Sequence, residues 1–442
     1  MNQTRTKRSF GLWVQVFAFT ALTLIGFRGV AAAEDPTVVF HGQYRINSYS
    51  DSRDKTDTFG DGNVAASRAR FRPTWDVDFH NDVSLHLQLN IGHITGNTGN
   101  AGKEQGGGPA VAIRHGYIAA KLSDSVTGVA GLVPVSDKFG DTLFSGDWDF
   151  NPLTYAFLGD MGGINYRIGY AKLSEGKEMD KTGQKDDLTA YVLDVDSGGI
   201  GASIYQVASD KNFGAGELAL TIFGVRYSGA IGDSKLNAFL MGSSYDNKTA
   251  SVKANGFATK VEYLMPVGSA NVGIMGVYST GDKDFGNTTK TASSFITPMS
   301  LIGHHGYWGY TGKLNIQGPT DTGIDDPVNI DGGSYSNGNL GYGLMTLQIK
   351  AGFPIADKWD GYVGVGTFSS TAAPSARGND IGNDVYAQAA WHIADHLNAE
   401  FGIDYAMLGK GHWDSAAVPT GGTSPDSART IMTMVSRVQL EW

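Results

Sequence analysis

The sequence predicts an all-β fold, a transmembrane antiparallel up-and-down β-barrel of 18 strands, with 16 strands as the alternative count. Three observations predict this fold. A leader precedes the main part of the chain, apolar and polar residues alternate along segment after segment, and short and long connections alternate between those segments. A closed barrel is the β structure that can cross a bilayer, because it leaves no backbone polar group unpaired in hydrocarbon.

The first 33 residues have the pattern of a secretory signal peptide. A basic head, an apolar stretch and a small-residue cleavage motif make up this pattern, at Arg5, Lys7 and Arg8, at residues 10–27, and at Ala31-Ala32-Ala33. We expect export and cleavage after residue 33, so that residues 34–442 form a single barrel domain. An uncleaved membrane anchor is the alternative, since the apolar stretch nearly spans a bilayer. The leader carries four basic residues and no acid, so its removal changes the net charge from −10 to −14.

Alternation with a period of two is the main evidence for strands, and it is clearest over residues 66–80. Phe71 and Trp75 share one parity there, whereas Arg70 and Asp76 share the other. Alternation over this length indicates a β-strand with one apolar and one polar face. The same texture predicts strands near residues 37–50, 65–80, 83–95, 111–122, 126–135, 152–158, 164–173, 187–197, 200–208, 217–229, 235–244, 251–264, 271–280, 339–353, 359–369, 384–393, 397–408 and 429–442. Many of these segments have the length of about 10 residues that a tilted strand needs to cross a membrane.

The connections between these segments alternate in length. Asn81-Asp82, Gly198-Gly199 and residues 354–358 make short turns, whereas residues 281–338 form the longest connection, a long outer loop. Short turns at one end and long loops at the other are typical of outer-membrane barrels. A barrel of about 16–18 strands leaves an aqueous channel, so we expect the polar parity to line a water-filled pore.

Composition excludes several functional classes. The 442 residues contain no Cys, which excludes disulfide scaffolds, Cys-ligated metal centres and thiol nucleophiles. The net charge of −10 argues against a nucleic-acid partner. After the leader no apolar run is long enough for a transmembrane helix. A helical membrane protein is therefore excluded, whereas a secreted soluble β protein stays as an alternative.

Two regions of the chain carry a resemblance to a known family. They are Arg68-Ala69-Arg70-Phe71-Arg72 and the stretch from Ile381-Gly382-Asn383-Asp384-Val385 to Leu397-Asn398-Ala399-Glu400-Phe401. The whole chain after the leader resembles a bacterial outer-membrane porin, and within that group these two regions resemble the alginate-export-like and related porins. The resemblance implies location in the bacterial outer membrane, contact with its lipid, passive diffusion of small hydrophilic solutes or ions, and often a homotrimer. The alginate exporter has an unusually basic pore, and this chain departs from it because its polar parity also carries many acids.

The charged residues of the polar parity predict a constriction in the pore. Arg68, Arg70 and Arg72 stand at every second position of one strand, roughly 7 Å apart. We expect the loop after the fifth strand, residues 136–151, to fold inward and face this arginine ladder. The predicted constriction residues are Arg45, Arg68, Arg70, Arg72, Arg114, Arg167, Asp137, Asp141, Asp147 and Asp149. Their opposed charges would set a transverse field that orients dipolar solutes; the alternative is that they pair along the wall and only solvate it.

Other functions stay as alternatives at this point. They are a substrate-selective channel for a carbohydrate or an anionic polymer, and a barrel scaffold for a periplasmic electron carrier. The ten His are better explained as polar wall and loop than as a metal site. No Ser–His pair with a third orienting group indicates an enzyme, and we expect no cofactor. The sign of the selectivity stays open, because the acidic net charge favours cations and the arginine ladder favours anions.

Overall fold

The computed structural model describes residues 35–51, 64–80, 82–94, 111–146, 150–174, 187–210, 216–285, 287–298, 341–373, 378–409 and 429–442. These ranges form β1 (Thr37–Asp51), β2 (Val64–Asp78), β3 (Val83–Ile94), β4 (Val111–Ser123), β5 (Val126–Leu132), β6 (Leu153–Asp160), β7 (Asn165–Ser174), β8 (Leu188–Ser197), β9 (Ile200–Ser209), β10 (Leu218–Ile231), β11 (Ser234–Asn247), β12 (Val252–Val267), β13 (Ala270–Ser279), β14 (Thr291–Ala292), β15 (Met345–Ala356), β16 (Trp359–Ser369), β17 (Asp380–Ala394), β18 (Leu397–Leu408) and β19 (Arg429–Glu441). All but the two-residue β14 are barrel strands, so the predicted all-β barrel of 18 strands is confirmed. In the same ranges, no helix has the length and apolar character needed to span a membrane.

Each barrel strand pairs with its neighbours along the chain, and the last strand closes the ring on the first. β1 pairs antiparallel with both β2 and β19, and β13 pairs directly with β15. Two backbone hydrogen bonds between Gly42 and Trp442, at 3.1 and 3.2 Å, continue this seam to the last residue. A closed ring has no unpaired sheet edge, as a β structure in hydrocarbon requires.

Apolar side chains cover the outside of the ring. Exposed members lie on strands all around it: Phe40, Ile113, Ile168, Ile204, Phe223, Leu240, Val261, Leu347, Val365, Phe401 and Met434. The opposite parity carries polar residues such as Arg70, Asp194 and Gln348, which are buried within the barrel. An apolar surface of this extent belongs in lipid, and a polar interior belongs to a channel barrel.

Aromatic rings gather at the end of the barrel that carries the short turns. Trp442 stacks on Phe71 with ring centroids 5.5 Å apart, and Phe40 lies 5.4 Å from Trp75. Such aromatic bands mark the membrane interface of transmembrane barrels. The seam between β1, β2 and β19 therefore lies partly at an interface position.

Several strand boundaries differ from the predicted ones, and two of these differences have a cause in backbone conformation. The strand predicted from residue 339 begins at Met345, because Gly341 and Gly343 have positive φ values of 84° and 71°, which extended strands exclude. The strand predicted to end at residue 135 ends at Leu132, just after Gly131 at φ 136°.

Two segments between strands fold into the barrel and give it an apolar core. They are residues 133–146, between β5 and β6, and residues 287–298, between β13 and β15. Phe139 of the first segment and Phe295 of the second are 3% and 0% exposed, and both join a cluster with buried residues of β7 to β13 and β16 to β18. The second segment begins the predicted outer loop 281–338, of which residues 299–338 lie outside the described ranges. One side of the lumen is thus filled, and the polar wall from β19 to β4 lies opposite in the strand order.

Candidate functional site

An arginine stripe lies on the inward face of β1 and β2. Arg45 of β1 is directly opposite Arg70 of β2, and Arg72 is the next inward residue of β2. Amide oxygens hold these groups on the wall: Arg45 Nε donates to Gln439 Oε1 at 2.8 Å, Arg70 Nη2 to Gln43 Oε1 at 2.9 Å, and Arg72 Nε to Asn90 Oδ1 at 2.8 Å. Arg68 continues the stripe by backbone register, opposite Asn47, although its side chain lies outside the described part of the chain.

This stripe brings like charges together on paired strands. Arg70 and Arg72 are each 8% exposed, and like charges directly opposite each other on paired strands destabilise a sheet. The guanidinium group does not lose its proton to escape this cost. Permanently charged groups gathered on the inward face of a barrel make this wall the candidate functional site.

The other two predicted arginines hold the loop between β5 and β6. Arg114 is the extra residue of a β-bulge in β4, and its Nη2 donates to the Gly146 carbonyl at 3.1 Å. Arg167 of β7 donates from Nε to Asp194 Oδ2 at 2.6 Å and from Nη2 to the Ser136 carbonyl at 2.8 Å. Both guanidinium groups therefore bridge the barrel wall and the loop, one near each end of its inward part.

Asp137 organises this loop from within. It is 4% exposed, and its carboxylate accepts backbone hydrogen bonds from Phe139, Leu143 and Phe144 at 2.7, 2.6 and 2.9 Å. Burial raises the pKa of Asp137 to about 7; repulsion from Asp141 adds to this rise, and the three hydrogen bonds oppose it. The structure thus places Asp137 inside the loop rather than on a surface that faces the arginine stripe.

Aromatic contacts seat the loop on the far wall. Phe139 packs edge-on against Tyr205 of β9 and Phe239 of β11, with ring centroids 5.9 and 5.7 Å apart. Phe144 packs edge-on against Tyr205 at 5.2 Å. The Tyr205 hydroxyl donates to Asp194 Oδ1 at 2.6 Å, so the carboxylate that pairs with the anchoring arginine also holds the aromatic platform.

The second inward segment, residues 287–298, is not predicted from the sequence. The Ile296 N–H donates to Ser243 Oγ of β11 at 3.0 Å. A Cβ on Gly256 of β12 would lie 2.3 Å from the Phe295 nitrogen, so the glycine permits the segment to lie directly on the wall. In the sequence, Phe295 and Ile296 form an apolar pair in a polar loop, and this pair is the one local signal of burial.

Buried acidic side chains lie on the inward parity of two strands close to β1 in the strand order. Asp384 of β17 and Asp404 of β18 are 0% and 4% exposed and share the inward parity, and only β19 separates β18 from β1. Sequence analysis missed both, although they stand on the polar parity of predicted strands. Among the predicted acids, Asp141 lies in the inward loop at φ 56°, whereas Asp147 and Asp149 lie outside the described residues.

The wall therefore changes the sign of its charge between β17 and β2. At the border, Arg437 of β19 forms an ion pair with Glu400 of β18. Acidic and basic sectors on one wall produce a field across the lumen. Within the described ranges, no group of three or more His, Asp or Glu side chains is arranged to hold a metal ion.

Several solved structures share this fold. OccK9 (OpdG) of Pseudomonas aeruginosa superimposes with a TM-score of 0.56 at 10% identity, over 93% of this chain and 99% of that one. A BenF-like porin from Pseudomonas fluorescens Pf-5 gives a TM-score of 0.56 at 8% identity, over 93% of this chain and 100% of that one. This chain has the porin fold. Pseudomonas aeruginosa OpdK with vanillate gives 0.53 at 11% identity, over 91% and 99% of the two chains. No family model and no curated protein matches the sequence, so the functional argument rests on the fold and the site.

Proposed function

We propose that this protein is a channel of the bacterial outer membrane through which small hydrophilic anions diffuse passively. The inward arginine stripe of a closed barrel, together with two inward segments packed on other strands, supports the proposal. A barrel of about 18 strands encloses an aqueous lumen. Because the two segments occupy one side of it, solutes pass along the arginine stripe on the other side.

The position of the arginines, and not the acidic net charge of the chain, decides whether the pore prefers anions or cations. Charges separated from the permeating ion by more than about 10 Å of electrolyte are screened at 0.1 M salt, so distant loop acids contribute little. Arg45, Arg70 and Arg72 lie on the lumen wall itself, and guanidinium groups stay charged at physiological pH. OpdK was solved with vanillate, and a small organic anion is the class of solute that this stripe would attract.

The proposal also covers the surroundings of the barrel. The apolar belt contacts outer-membrane lipid, and the end with the short turns faces the periplasm. We expect residues 1–33 to be absent from the mature protein, solutes to pass without chemical change, and the barrels to associate as homotrimers. N-terminal sequencing and native mass spectrometry in detergent test the first and last of these expectations.

Planar-bilayer recording of the purified protein tests the channel function. Discrete conductance steps are expected, together with a lower anion preference in Arg70→Ala and a changed conductance in Asp141→Ala. Heat-modifiable migration on a gel serves as the control that each sample contains a folded barrel. A folded barrel without conductance steps contradicts the channel function, and wild-type conductance and selectivity in both variants contradict the charged constriction.

A further inference from the structure

The arginine stripe ends in a carboxylate that is held between two histidines. Along the inward parity of β2, Arg72 is followed by Thr74 and then by Asp76, toward the end with the short turns. His41 of β1 donates from Nε2 to Asp76 Oδ2 at 2.7 Å, and His86 of β3 donates from Nδ1 to Asp76 Oδ1 at 2.5 Å. An ionised carboxylate only accepts hydrogen bonds, so each imidazole carries a hydrogen on the named nitrogen.

This cluster, His41–Asp76–His86, is accessible from the lumen. The side chains of His41, Asp76 and His86 are 42%, 47% and 19% exposed. Next to them on β4, Tyr117 stacks on His86 at 5.0 Å, and the His115 ring lies 5.5 Å from it. The charged side chains nearest to the cluster on the inward parity are Arg72 and Asp78 of β2, Lys121 of β4 and Glu441 of β19; Arg45, Arg70, Arg114 and Arg437 lie farther along the same strands.

Asp76 places a negative charge on the proposed path of the anions. An anion that leaves the Arg72 guanidinium next meets this carboxylate, which repels it. With neutral histidines the cluster carries one negative charge, and with two protonated histidines it carries one positive charge. Histidine changes its charge between about pH 5 and pH 8. The carboxylate, phenol, ammonium and guanidinium groups beside the cluster ordinarily keep their charge state over that range. Asp137, whose pKa burial raises to about 7, lies in the inward loop, and the histidine variants below separate its response from that of the cluster.

We propose that the His41–Asp76–His86 cluster determines specificity at the exit of the arginine stripe, and that proton uptake converts this exit from anion-repelling to anion-attracting. The inference rests on the proposed anion channel and deepens it. The cluster would give the periplasmic half of the pore an anion preference that depends on pH. Small organic anions would then cross more readily when the periplasm is acidic.

The size of the effect follows from Coulomb's law. A unit charge about 7 Å from a permeating ion changes the energy of that ion in water by about RT. Uptake of two protons therefore raises the local anion concentration roughly sevenfold at low salt, and less where the Debye length is about 8 Å. The same charges lower the local cation concentration by the same factor, so we expect the anion-to-cation permeability ratio to rise about fivefold to fiftyfold between about pH 8 and about pH 5.

Reversal potentials of the full-length protein in planar bilayers, under a potassium chloride gradient at about pH 5 and about pH 8, test the proposal. The double variant His41→Gln/His86→Gln should lose most of the rise in permeability ratio. Asp76→Asn should raise the anion preference at the higher pH, because it removes the repelling charge. His392→Gln is the matched control, since His392 hydrogen-bonds to the Asp360 carboxylate at 2.9 Å on β16 and β17, away from the arginine stripe, and should keep the rise.

The outcomes separate the inference from the proposed function. The role of the cluster is overturned if the wild type is anion-selective but its permeability ratio does not rise at the lower pH. It is also overturned if the double variant keeps that rise, or if Asp76→Asn has the wild-type permeability ratio at the higher pH. Loss of the rise in permeability ratio in the control His392→Gln overturns the role of the cluster as well. A folded wild-type barrel that conducts no ions, or that prefers cations at both pH values, contradicts the anion channel itself.

Discussion

Replacing Arg167 with alanine should release the loop between β5 and β6 from the barrel wall. The guanidinium group donates to Asp194 at 2.6 Å and to the Ser136 carbonyl of the loop at 2.8 Å. Alanine removes both bonds and leaves Asp194, 1% exposed, with the hydroxyl donors of Ser203 and Tyr205 but without its cation.

The two lost bonds have different consequences. The pair with Asp194 joins adjacent strands, and removal of one partner of a buried ion pair costs about 3–5 kcal/mol of stability. The bond to the Ser136 carbonyl joins the wall to the loop, and a hydrogen bond from a charged donor contributes about 1.5–3 kcal/mol. Its loss raises the population of the open loop roughly tenfold to a hundredfold.

Single-channel recording measures this release. Arg167→Ala should show a larger and noisier open-state current than the wild type, and Arg167→Lys should behave similarly, because an ammonium group does not reproduce the fork of a guanidinium. Arg70→Lys is the control for charge on the wall and should keep a quiet current. A wild-type current and noise in folded Arg167→Ala would refute the anchoring role and return Arg167 to the role of a pore-lining charge.

Three further predictions concern the loop carboxyl, a close approach and the barrel seam. Because burial raises the pKa of Asp137 to about 7 from an ordinary value near 4, the closed loop keeps a proton that an open, solvated loop would release. Closure therefore weakens as the pH rises from about 4 to about 7 and changes little above that, so current noise should rise over the same range and lose this dependence in Asp137→Asn. Gly256→Val should displace Phe295, whose nitrogen would lie 2.3 Å from the new Cβ, and should raise conductance without changing gel migration. Gly42→Val should lower the temperature of the gel-shift transition, since a Cβ there would lie 2.9 Å from the Trp442 ring. Wild-type noise that does not depend on pH would contradict the role of Asp137. Wild-type conductance in Gly256→Val would contradict the contact with Phe295, and a wild-type transition temperature in Gly42→Val would contradict the contact with Trp442.

The strands could be predicted because lipid and water act on alternate residues. Phe71 and Trp75 face lipid while Arg70 and Arg72 face the lumen, so the alternation is visible in the sequence of a single strand. Strand ends are less predictable, because they depend on single backbone conformations such as that of Gly131, at φ 136°. No periodic signal reports such a conformation.

Only the part of the site that lies on the barrel strands could be predicted from the sequence. The inward direction of Arg45, Arg70 and Arg72 follows from parity alone. The anchoring role of Arg167 and the burial of Asp137 depend on a loop that crosses the lumen, and the contacts of that loop join residues far apart in the sequence. The same holds for residues 287–298, whose burial depends on a glycine in another strand.

If the arginine stripe sets the selectivity of the pore, the reversal potential under a salt gradient depends on its three arginines. The measurement compares the wild type with the triple variant Arg45→Ala/Arg70→Ala/Arg72→Ala in the same bilayers at neutral pH. A wild-type reversal potential on the anion side and a triple-variant potential near zero or on the cation side are predicted. A wild-type potential on the cation side, or a triple variant that keeps the wild-type anion preference, would contradict the claim.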